Sequence, residues 1–137
     1  MKVQKEYTSF STAIALEEID YDGAYMTAAY SRNNGRFLAS YCPTVGDADK
    51  VVIAPLLQQA FSWFLDKHNL HVEYMFYDMT WQARIGEFTV PDFVPDEVIG
   101  LDESEGIRDA KRGYLLIRIK ALDKMIEIIK DPTDDKD

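Results

Sequence analysis

Residues 54–85, APLLQQAFSWFLDKHNLHVEYMFYDMTWQARI, change hydrophobic period in mid-course, and that change decides the fold. Leu57, Phe61, Phe64, Leu65 and His68 recur at spacings of three and four, with Leu56 and Ala60 widening the stripe, which predicts an amphipathic helix. Pro55 suits the first helical position, where its missing N–H costs nothing, and Asn69 suits the exit because it tolerates left-handed backbone. Burial of the four large apolar residues stabilises by roughly 1.5–3 kcal/mol each, well above the propensity deficit of Phe and Trp, so packing rather than propensity makes this helix. After Asn69 the period falls to two. Val72, Tyr74 and Phe76 fall on one face of a strand and His71, Glu73, Met75 and Tyr77 on the other. Asp78 marks a turn, and Trp81, Ala83 and Ile85 then alternate with Gln82, Arg84 and Gly86, giving a half-solvated antiparallel hairpin.

The opening third repeats this order. Ser11 or Thr12 can cap a short helix carrying Ala13, Leu16 and Ile19, with its exit at Asp20 to Gly23. Strands over 24–31 and 36–41 flank Asn33-Asn34-Gly35, a hairpin signal. A last helix is expected from near Ser104 to Lys130, with Leu115, Ile119, Leu122, Ile126 and Ile129 on one stripe and Tyr114, Ala121, Met125 and Ile128 widening it. Gly113 and the β-branched residues of 115–119 leave a second reading, in which this segment begins as a strand. The expected fold is α+β, helix-hairpin-helix-hairpin-helix, with two similar halves contributing to one antiparallel sheet of about four strands packed against the helices. One domain over residues 1–130 and a disordered acidic tail over 131–137 complete the expectation.

Composition narrows the class further. Apolar residues at 47% and charged residues at 28% are ordinary for a globular chain and exclude wholesale disorder. No apolar run approaches the ~20 residues of a bilayer span, the N-terminus lacks the apolar segment of a secretory signal, and the single cysteine, Cys42, suits a reducing compartment. The expectation is therefore a cytoplasmic protein that does not engage a membrane. The net charge of −9 is concentrated: residues 92–109 hold seven acids and one Arg, residues 131–137 hold four acids and one Lys, and the remainder is neutral. The segment PDFVPDEVIGLDESEG reads either as a solvated connection whose acids favour the start of the following helix or as a contact surface for a basic partner.

Chemistry is harder to find. The seven glycines fit no phosphate-binding loop. His68 and His71, the only histidines, are separated by the helix stop at Asn69, so they read as a helix end and a solvent-facing strand residue rather than as metal ligands. Cys42 precedes Pro43 with no base beside it in sequence, and the acids lack the spacing of a calcium loop. No catalytic residue, metal ligand or cofactor is assigned. The strand aromatics lack the basic groove that a nucleic-acid platform needs, so direct nucleic-acid binding is not expected. Met75 and Tyr77, opposite the expected core face, and the acids Asp102, Glu103 and Glu105 are the candidate partner surface.

Four motifs follow one another along the chain: S-x-x-x-A-x-x-L-x-x-I (Ser9, Ala13, Leu16, Ile19), A-P-x-L-x-Q-A-F-x-W-F (Ala54 to Phe64), K-H-N-L-H-V-E (Lys67 to Glu73) and L-D-K-M-I-E-I-I-K (Leu122 to Lys130). In these the chain resembles a group of small uncharacterised proteins associated with prophages and other mobile elements of gut anaerobic bacteria. The resemblance implies the helix-hairpin arrangement and a mobile-element setting, and brings no activity or binding residues with it; the acidic 90–106 stretch departs from the group. The resulting expectation is a small non-enzymatic accessory protein that acts by protein–protein interaction, with a protein partner or as a homodimer. The alternatives are an acidic decoy of a nucleic-acid-binding protein and an enzyme whose site is assembled from remote residues.

Overall fold

The computed structural model describes residues 7–22, 28–38, 50–77, 80–89, 92–101 and 110–131. Among these residues three helices, α1 (Phe10–Glu18), α2 (Leu57–His68) and α3 (Ala110–Lys130), alternate with two sets of three strands: β1 (Ala28–Ser31), β2 (Phe37–Leu38) and β3 (Val51–Ala54), then β4 (Leu70–Tyr77), β5 (Thr80–Thr89) and β6 (Asp92–Gly100). The α+β class stands. The sheet does not: in place of one sheet of about four strands there are two antiparallel three-stranded sheets, ordered β2-β1-β3 and β4-β5-β6. The chain divides into two compact units, residues 1–60 with 129–137 and residues 61–128, and the boundary falls inside α2.

In the first unit α1 begins one residue after Ser9, whose hydroxyl accepts the Thr12 N–H at 3.2 Å; Ser9, rather than Ser11 or Thr12, is the cap. The helix ends on Asp20 in the left-handed region (φ 65°), with Tyr21 N–H bonded to the Leu16 carbonyl and Asp20 N–H to that of Glu17. The last-turn carboxylates would oppose the helix dipole, and each meets a cation: Glu17 pairs with Arg32, and Glu18 with Lys130 at 2.6 Å. The Asn-Asn-Gly hairpin forms as its sequence predicts, with Gly35 at φ 72° and the Asn34 side chain accepting the Arg36 N–H at 2.9 Å. The outer parts of its two expected strands, 24–27 and 39–41, lie outside the described residues. Ala28, Tyr30, Val52 and Ala54 form the core with Ala13, and Tyr7, Phe10, Ile14 and Phe37 pack against it. Tyr30 donates to the Thr8 carbonyl at 2.7 Å, and Thr8 N–H donates to that of Pro55 at 2.9 Å, tying the N-terminal segment beside β3.

Pro55 thus lies before α2, not in its first turn. Leu56 precedes the helix, and its N–H is satisfied by the Gln59 side chain at 2.8 Å, the reciprocal half of a capping box. Among residues 57–68 the buried set is Leu57, Ala60, Trp63 and Phe64, whereas Leu65, expected inside, is 38% exposed and Trp63 only 7%. Asn69 stops the helix at φ 55°, as its residue type predicts.

In the second unit β5 is the central strand and pairs with β4 from Leu70↔Glu87 to Tyr77↔Thr80 without interruption. Its other neighbour, β6, occupies much of the acidic stretch read as a connection. The register slips at Ile85/Gly86, where Glu97 and Pro95 are the successive partners and Asp96 is left over as a bulge. Ala83 and Ile85 are fully buried on the inner face. The segment 114–119 is helical throughout, and the buried line of α3 is Ile117, Ala121, Leu122, Met125 and Ile126, one step round from the expected stripe. The expected start near Ser104 lies outside the described residues.

Candidate functional site

The end of the β4–β5 hairpin is where this sheet leaves large apolar groups in water. Successive strand side chains point to opposite faces, so Met75 and Tyr77 share the outer face and Phe76 the inner one. All three are exposed, at 40%, 66% and 46%. A strand end that is apolar and open on both faces differs from the rest of β4, whose Leu70 is buried. Val98, 59% exposed, extends the outer face through the register Glu73↔Arg84↔Val98.

On the inner face the rings form a connected run. Phe61 meets Tyr74 edge-on at 6.2 Å, Tyr74 meets Tyr114 at 5.5 Å, Tyr114 meets Trp81 at 4.8 Å, and Trp81 meets Phe76 at 5.3 Å. The Arg118 guanidinium lies 5.2 Å from the centre of the Tyr114 ring. Burial pushes the Tyr74 phenol well above its usual range, opposed by the nearby Arg118 charge, and its oxygen has no hydrogen-bond partner among the described residues. Phe76, at one end of the run, and Tyr114, within it, are both exposed.

Met75 and Tyr77 are exposed, as the alternation of the strand predicts. Phe76 and Tyr114 were missed because the strand and helix periods assigned them to the core. Asp102, Glu103 and Glu105 lie outside the described residues; β6 itself ends at Gly100, which pairs with Gln82, the partner of Met75.

His68 and His71 are in different settings. His68 lies against Trp63 at 5.0 Å and Phe64 at 6.0 Å at the end of α2. His71 stands edge-on to Phe93 at 5.0 Å, with Glu73 at 3.9 Å on the same outer face. Cys42 lies outside the described residues. No group of three His, Cys, Asp or Glu side chains suited to a metal occurs among the described residues. No helix among them is long and apolar enough to cross a membrane. Comparison with protein-family models, curated proteins and solved structures finds no match.

Proposed function

We propose that the chain is a small non-enzymatic accessory protein that works by binding protein, and that the aromatic hairpin end is its contact surface. The observation that carries this reading is the exposure of Met75, Phe76 and Tyr77 on both faces of one strand end. Exposed aromatics backed by further rings and an Arg match the composition of interface hot spots, in which Trp, Tyr and Arg dominate. The rings are held by one another, so little side-chain freedom remains to be lost on binding. Asp102, Glu103 and Glu105 belong to the same proposal as acids whose charge steers encounter more than it adds affinity.

The mobile-element setting belongs to the same proposal and rests on the resemblance of the Ser9–Ile19, Ala54–Phe64, Lys67–Glu73 and Leu122–Lys130 motifs. A cytoplasmic location rests on the single cysteine. The acidic-decoy reading ranks below this one, because the carboxylate of Glu97 is within 3.8 Å of the Lys124 ammonium and is not left to imitate a phosphate.

Photo-crosslinking from position 77 tests the interaction reading. A protein captured there should be lost on Phe76→Ser and retained on Leu65→Ser, an exposed position on α2. Equal capture by all variants, or none by any, would remove the hairpin end as the contact surface.

A further inference from the structure

We propose that the occupant of this surface is a second copy of the chain, paired antiparallel along β4 about a two-fold axis through Tyr74. This deepens the interaction reading and rests on it.

The two edges of the β4-β5-β6 sheet are built differently. β6 carries Pro95, a bulge at Asp96 and the carboxylates of Asp96 and Glu97, the devices by which edge strands avoid pairing with other chains. β4 carries neither a proline nor a bulge, and Glu73 is its one acid. Its register with β5 runs unbroken over eight residues, it contains no Pro, Lys or Arg, and among the described residues it is hydrogen-bonded as a strand to β5 alone. Only two residues join Tyr77 to Thr80, so that closing pair is hydrogen-bonded, and His71, Glu73, Met75 and Tyr77 face β5 with their backbone groups. The N–H and C=O groups of Val72, Tyr74 and Phe76 then point along the open edge.

A two-fold axis normal to the sheet brings residues of the same face opposite one another, which leaves few registers. Centring on Glu73 sets two carboxylates directly opposite and is disfavoured. Centring on Val72 or Met75 overlaps only the residues 70–74 or 73–77. Centring on Tyr74 overlaps residues 71–77 and opposes no like charges. It places Val72 against Phe76 and Tyr74 against its own copy on the inner face, pairs of the β-branched and aromatic type that stabilise sheets. On the outer face Glu73 meets Met75 and His71 meets Tyr77. Val72, Tyr74 and Phe76 then exchange about six backbone hydrogen bonds with the second copy. Glu73 is therefore paired with an exposed thioether it does not need, and that mismatch makes the register testable.

Met75 is 40% exposed, so charged replacements leave the monomer folded, which circular dichroism verifies. By symmetry each change acts twice. Sedimentation equilibrium should show a dimer whose dissociation constant falls about two- to thirtyfold on Met75→Lys, opposite Glu73, and rises by a similar factor on Met75→Glu. A wild-type chain that stays monomeric at concentrations up to on the order of 1 mM, or two variants that shift the constant in the same direction, overturns the pairing. If the chain is monomeric yet crosslinks from position 77 to a different protein, only the second-copy assignment falls; if it does neither, the interaction reading falls with it.

Discussion

Tyr74 combines a well-packed ring with a hydroxyl that no described residue hydrogen-bonds. Its ring bridges Phe61 and Tyr114, while its oxygen is buried without a hydrogen-bond partner among the described residues. A buried unsatisfied polar group costs about 1–3 kcal/mol, so Tyr74→Phe should stabilise the fold by about 1 kcal/mol, read as a shift in urea midpoint at constant slope. The pH dependence has a fixed sign. The folded-state pKa is raised above 10, so the phenol contributes no pH dependence below that value, and stability is lost above it as the unfolded chain ionises first. Tyr21 adds to this loss, its pKa pushed up to about 12 by burial and then by Asp22. Tyr74→Phe should therefore flatten the decline in stability between pH 10 and 12, and an unchanged slope would contradict the burial of this group. At single residues the sequence was legible where the property is intrinsic. Asn69 adopts left-handed backbone because its residue type tolerates it. Leu65, expected on the buried stripe, is exposed and Trp63 is covered instead, because both lie near the margin of a helical stripe and only the neighbouring surface determines which margin is covered.

Secondary-structure elements show the same division. The ends of α1 are local devices: the Ser9 hydroxyl at the start, and at the stop the paired bonds from Tyr21 to Leu16 and from Asp20 to Glu17. Asp20 carries two penalties there, left-handed backbone on a non-glycine residue and a negative charge at the negative end of the dipole. Asp20→Gly removes both and adds unfolded-state entropy, for a net stabilisation of about 0.5–1 kcal/mol measurable by thermal or urea denaturation. A loss of stability instead would mean that the Asp20 carboxylate has a compensating role. The two strands missed in the sequence were hidden for different reasons. β6 contains Pro95, Asp92, Asp96 and Glu97, residues depleted from sheets, and it exists because an edge with a bulge tolerates a proline and acidic residues. β3, Val51-Val52-Ile53-Ala54, has the β-branched run of a strand but runs almost directly into α2. Its pairing with β1, Ala28↔Ala54 to Ser31↔Val51, makes it a strand.

At the scale of the whole molecule the charge of −9 opposes any pairing of two copies. The repulsion is long-ranged and screened, whereas backbone bonds and apolar contacts along β4 are not. Raising NaCl from about 0.1 to 1 M, which shortens the Debye length from about 10 to 3 Å, should therefore tighten self-association. Weakening with salt would point instead to a contact made of opposite charges, with the acidic segment meeting a basic surface. The apparent internal repetition also resolves at this scale. Among the described residues each half runs helix then three antiparallel strands, but the central strand is the first of its set in one sheet, β1, and the second in the other, β5. The halves share a pattern of elements and not a topology.

The sequence alone determined the α+β class, the helix-to-strand change at Asn69, the Asn-Asn-Gly hairpin and the outer-face placement of Met75 and Tyr77, because periodicity, turn chemistry and backbone tolerance act over a few residues. Only the tertiary structure decided that there are two sheets, that Pro95 and its acidic neighbours lie in a strand, and that Phe76 and Tyr114 emerge from the core side to meet water. Strand pairing and burial are set by what lies opposite each residue across a sheet or beneath a helix. A neighbour distant in sequence leaves no period in the chain.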